Sequence, residues 1–136
     1  MNLQNQSLIL LLIVATTFLQ ADDWPTWRGV NGNGISNEMN IPENWSVEKN
    51  VAWQVKLLGP GNSSPIVANG KVFVTQATED GTKRTLLCFD RQTGDKLWDR
   101  ATLFAVKEPT HKTNPFCSAS PATNGEVVLV SLGSAG

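Results

Sequence analysis

The feature that most constrains this chain is an alternation of short β-type runs with tight-turn residues, which begins at Asn62 and leaves no room for a helix. The runs are Ser64–Ala68, Lys71–Ala77, Arg84–Asp90 and Lys96–Ala101, separated by Asn69-Gly70, Glu79-Asp80-Gly81-Thr82 and Arg91-Gln92-Thr93-Gly94. Asn-Gly and Asp-Gly tolerate the positive φ that tight hairpins require, and no stretch carries a useful helical period. Four sequential antiparallel strands are predicted. Side chains alternate between the faces of such a meander, so Leu86 and Cys88 point one way and Leu87 and Phe89 the other. Both faces are apolar, and the sheet must be sandwiched.

A repeat is present in the spacing. Ser64-Pro65 is followed by Val72-Phe73-Val74, and Ser120-Pro121 by Val128-Leu129-Val130, both at an offset of 56, with the Asn-Gly turn slipping by one residue between copies. Val51-Ala52-Trp53 and Lys96-Leu97-Trp98 end similar runs 45 residues apart, and an inserted loop, Thr102–Phe116, accounts for the longer offset. A period near 45 is that of a propeller of four-stranded blades. The expected fold is therefore all-β: an incomplete β-propeller of about one four-stranded antiparallel blade plus the two inner strands of a second. Such a piece cannot close, which leaves unpaired edges and bare faces. The chain accordingly reads as the N-terminal part of a longer protein, and Asp22–Gly136 alone is expected to aggregate or to form a loosely packed sheet.

The first residues point to export. Ser7–Ala15 carries no charge, and Ala21 before Asp22-Asp23 offers a small residue for cleavage, so residues 1–21 read as a secretory signal peptide. Thr16, Thr17 and Gln20 interrupt the apolar run before it reaches the roughly 20 residues that a membrane span needs. The mature chain is expected to be periplasmic or extracellular, without a transmembrane span. A net charge of −1 with dispersed Lys and Arg argues against nucleic acid as a partner. Cys88 and Cys117 are able to pair in an oxidising compartment; their other reading is as buried small hydrophobes, which suits the apolar strand around Cys88. Asn44-Trp45-Ser46 and Asn62-Ser63-Ser64 match the N-glycosylation acceptor pattern.

Longer stretches carry a family likeness. Cys88-Phe89-Asp90-Arg91-Gln92-Thr93-Gly94-Asp95-Lys96-Leu97-Trp98 resembles the tryptophan-docking repeat of quinoprotein-type β-propellers. Asp23-Trp24-Pro25-Thr26-Trp27-Arg28-Gly29, with Asn33-Gly34-Ile35-Ser36 after it, resembles the start of the exported PQQ-like (BamB-like) propeller proteins of planctomycetes and related bacteria, and His111–Pro121 fits the same group. The resemblance covers nearly the whole mature chain. It implies an N-terminal extension over residues 22–50 packing on the propeller rim and a partial propeller over 51–136. It further implies that Val51–Leu57 is the outermost strand of the last blade, closing the ring with C-terminal strands that are absent here, and that the repeat tryptophan stacks on a neighbouring blade. Trp53, Asp90, Thr93, Gly94 and Trp98 thus form a structural motif: Gly94 can adopt the left-handed conformation, Asp90 can cap the loop with its carboxylate, and an indole fastens sheets.

The chemistry is less specific than the architecture. A quinoprotein dehydrogenase resembling this fold holds PQQ near the central channel with a calcium ion on carboxylate and amide side chains, but no acidic cluster with metal-ligand spacing stands here. No catalytic residue, metal or cofactor is assigned, and PQQ and calcium enter only for a full-length form. The loop Thr102–Phe116 is the best location for a ligand, with His111, Lys112 and Asn114, beside Lys107, suited to an anion or a proton shuttle. The alternative is a polar loop in which His111 and Asn114 satisfy backbone groups. Val30–Gly34 lacks the acids of a calcium loop, and Trp24, Trp27 and Trp45 either form a sugar platform or pin the N-terminal segment. Phosphate-loop, zinc and Gly-x-Ser-x-Gly patterns are missing from the sequence. The expected function is a non-catalytic exported scaffold that binds envelope or secreted proteins; a PQQ-dependent dehydrogenase and a carbohydrate-binding or sensor propeller are the alternatives.

Overall fold

The computed structural model describes residues 21–39 and 41–136; the expected signal peptide, apart from Ala21, lies outside them. Six strands are present: β1 (Ile66–Ala68), β2 (Lys71–Ala77), β3 (Lys83–Asp90), β4 (Lys96–Leu103), β5 (Ala122–Thr123) and β6 (Val128–Leu129), with a 3-10 turn at Gly133–Ala135. No α-helix occurs among the described residues, and none of them forms a helix long and apolar enough to cross a membrane. The fold is all-β. Strands β1 to β4 form one antiparallel sheet in chain order, and β5 pairs with β6 in a second. Neither sheet closes on itself.

The register follows the predicted alternation. Ile66 lies opposite Phe73, Phe73 opposite Cys88 and Cys88 opposite Trp98, while Val72 faces Phe89 and Val74 faces Leu87. A register shift between Cys88 and Phe89 places Phe89 opposite Lys96 and leaves Leu97 as the extra residue of a bulge. Strand β4 continues past Ala101 to Leu103, so the inserted loop starts at Phe104.

Both faces of the sheet are covered. On the first, Ile66, Ala68, Phe73, Leu86 and Cys88 form the core, and Trp98, Val128 and Val130 pack against it. Full burial of such side chains contributes roughly 1.5–3 kcal/mol each, and the second sheet adds Val128, partly buried, to this cluster. On the second face Leu87 and Phe89 are buried, and with Val55–Gly59 they line a groove of about 490 Å³. Val51–Leu57, expected as a strand, has no ladder partner. Its Val55–Leu57 part lies beside the side chains of the second face. Its continuation passes close to β2, where Ala77 N–H donates to Pro60 O at 2.8 Å. A Cβ on Gly59 would sit 1.9 Å from Ala77 O, so that approach requires glycine.

The sequence repeat has a spatial counterpart. Ser64 N–H donates to Ser120 Oγ at 2.8 Å and Asn69 Nδ2 to Gly125 O at 2.8 Å, and both bonds join residues 56 apart. Ser64 and Ser120 are equivalent points, and Asn69 meets the residue after its counterpart Asn124, so the two copies stand side by side. A strap from the N-terminal segment links them: Trp24 and Val67 exchange both backbone bonds (2.8 and 2.9 Å), and Thr123 N–H donates to Pro25 O at 2.9 Å. The Trp24 ring lies on Gly29, where φ is +76° and a Cβ would meet the indole at 2.7 Å. Trp27 and Trp45 are 61% and 71% exposed, so of the three tryptophans only Trp24 pins the segment, because only it has a neighbouring backbone to pair with. Cys88 and Cys117 are buried and unpaired with each other.

Candidate functional site

The turn between β3 and β4 is built by three side chains. Asp90 Oδ1 accepts the N–H groups of Gln92 (2.8 Å) and Thr93 (2.9 Å), and these bonds, that from Thr93 first, hold its carboxyl below the usual range. The Thr93 hydroxyl donates to Asp95 Oδ2 at 2.7 Å, and Gly94 closes the turn at φ +76°. On Gly94 lies the Trp53 indole, whose atoms would be 2.7–2.9 Å from a Cβ there. Its Nε1–H donates to Arg91 O at 2.9 Å. Trp98, on the opposite face, packs against Phe73 with ring centroids 5.8 Å apart, and Arg100 lies 5.6 Å over its ring. Trp53 thus seats on the turn of the four-stranded sheet, whereas Trp98 points toward the second sheet. The five motif residues thus make turn hydrogen bonds and ring contacts.

The loop after β4 turns sharply at His111–Asn114, where Asn114 N–H donates to His111 O at 2.8 Å. His111 Nδ1 lies 2.8 Å from Thr113 Oγ1 and accepts Thr113 N–H at 3.3 Å, and His111, Lys112 and Asn114 are all exposed. His111 and Asn114 face a cleft of about 580 Å³; Lys112 does not line it.

The floor of that cleft holds a group that sequence reasoning missed. Arg84, 3% exposed, enters from β3; its Nη2 meets Glu108 Oε2 at 2.5 Å. Its Nε–H donates to Gly81 O at 3.2 Å and its Nη1 to Leu132 O. The guanidinium lies 4.6 Å from the Phe116 ring and 5.1 Å from the Phe104 ring, a planar cation between two aromatic faces. Bonds from Arg84 and then Ser134 hold the Glu108 carboxyl below its usual range. Cys117, beside them at φ +62°, has its thiol pushed up by burial, and so does Cys88. A thiol raised in this way is a poor nucleophile. The Arg84 donors are directed at protein acceptors, which makes the arrangement a clamp joining β3, the inserted loop and the C-terminal turn. Its sequence signal was a charge at the head of an apolar strand, with Phe104 and Phe116 flanking the loop.

Among the described residues no three His, Cys, Asp or Glu side chains gather as a metal site. Comparison with protein families, with curated proteins and with solved structures found no match to this chain.

Proposed function

We propose that the chain is part of an exported, non-catalytic β-propeller of the PQQ-like, BamB-like kind, acting as a scaffold for proteins of the cell envelope. The observation that carries this reading is the pair of bonds between residues 56 apart, because they set successive units of the repeat side by side as radial stacking requires. Trp53 on the Gly94 turn supports it as the fastener between units. Partner binding is supported by apolar side chains standing in solvent along the N-terminal segment, Ile35, Met39, Ile41 and Val47 among them.

The test uses the full-length protein in its own envelope. In-situ cross-linking is expected to recover one defined envelope protein without added cofactor, and Met39→Ser with Val47→Ser to weaken that link. Dye-linked alcohol oxidation with a quinone absorbance after addition of PQQ and calcium would instead establish the dehydrogenase reading. A carbohydrate-binding role keeps one observation in its favour, the exposed indoles of Trp27 and Trp45; retention on a glycan column, lost on Trp45→Ala, would establish it.

A further inference from the structure

Each residue from Asp22 to Pro25 is held by a part of the molecule distant in sequence. Asp22 N–H donates to Glu38 Oε1. The Asp23 carboxylate accepts Asn69 N–H at 3.0 Å and stands 3.6 Å from Arg91. Trp24 pairs both ways with Val67, and Pro25 O accepts Thr123 N–H. Ala21 and Asp22 are both exposed, and it is the Asp22 nitrogen that meets Glu38. Glu38 is partly buried although Asn37 and Met39 beside it are exposed, and its own N–H is tied to Ser36 Oγ at 3.1 Å. Its carboxylate meets the Asp22 nitrogen from a backbone tied at Glu38 to the Ser36 hydroxyl.

We propose that Glu38 is the receptor for the mature amino terminus of this chain. Hydrolysis of the Ala21–Asp22 peptide bond by a processing peptidase adds water across it. The C–N bond breaks, Ala21 departs with a new carboxylate, and the Asp22 nitrogen takes up protons to become an α-ammonium. The amide bond to the Glu38 carboxylate, already assisted by the acceptor's charge, then becomes an ion pair between two charged groups, and it fastens the strap that bridges the two sheets. A cut one residue earlier would place the ammonium on Ala21, away from the nitrogen that meets Glu38, and one residue later would remove the group that Glu38 holds. The inference rests on the export reading for the cut alone.

Two measurements separate the cut from the pair. Intact mass of the chain recovered from an exporting host is expected to show Asp22 as the first residue; any other first residue overturns the cut. Independently, chains are released in the cytosol from a removable tag so that they start at Asp22, and acylation of the α-amine is timed at neutral pH in dilute solution. The amine is expected to react about two- to fivefold more slowly with Glu38 present than in E38Q, the effect of one exposed ion pair. About 1 M salt is expected to erase the difference, and chains starting at Ala21 to show none. Equal rates in the Glu38 and E38Q chains at low salt, or a difference that persists when Ala21 leads, overturn the pair. Should E38Q fail to fold, salt-independence of the Glu38 chain alone does so.

Discussion

At Gly94 two independent demands fall on one position: a left-handed backbone, and an indole where a side chain would begin. Gly94→Ala is expected to destabilise by about 1–3 kcal/mol, read from urea unfolding followed by tryptophan fluorescence. The cost should shrink in a Trp53→Ala background, since the clash is then absent and only the backbone strain remains. Trp53→Phe retains an aromatic face and loses the bond to Arg91 O, for a smaller loss of about 1 kcal/mol. At Glu108 the expectation concerns pH. Its carboxyl is depressed in the folded chain, first by the Arg84 bond, so its stabilisation is fully present above the unfolded carboxylate pKa and is lost as pH falls through the lower folded one. A gap in urea midpoint between wild type and Glu108→Gln should be constant from pH 6 to 8 and close below about pH 4. A gap that widened in acid would contradict the clamp. Asp80 and Asp90 are depressed by their own turn bonds, so an acid transition persists in the variant.

Among the elements, β4 has a long outer edge that no described residue pairs, and its charges guard it. Two copies joined through β4 by a two-fold axis normal to the sheet must pair residues of the same face. The two longest such registers set Asp99 opposite Asp99 or Arg100 opposite Arg100, and like charges directly opposed are destabilising. Asp99→Ser with Arg100→Ser is therefore expected to strengthen self-association at low salt, measured by sedimentation equilibrium; unchanged association would show that the charges are not the guard. The four strands were legible in the sequence because period-2 apolar runs bounded by Gly turns have few other solutions, and the bounds of β2 were read correctly. The partners expected of Val51–Leu57 are strands of a last blade, and its contacts here are with the side chains of a face. Arg84 was passed over because a charge at a strand terminus ordinarily meets solvent, and only the arrival of Phe104, Phe116 and Leu132 from elsewhere in the chain encloses it. The His111–Asn114 turn was legible as polar chain, while its place at the cleft depended on that enclosure.

For the molecule as a whole, the contact between the sheets buries Trp98 only in part, and Leu129, Val127 and Leu103 stand in solvent with the apolar side chains of the N-terminal segment. Apolar area of this extent seeks cover. The isolated chain is expected to associate as its concentration rises, with a broad unfolding transition; a sharp, concentration-independent monomeric melt would show that these faces are satisfied as they stand. The bond between Thr123 and Pro25 sets an order of events. Synthesis delivers the N-terminal end first, so Pro25 emerges long before Thr123 has been added. At about 5–20 residues per second, the oldest residues of the chain wait roughly 5–20 s for the seat they finally occupy, and a chaperone that shields Trp24 has that interval in which to act.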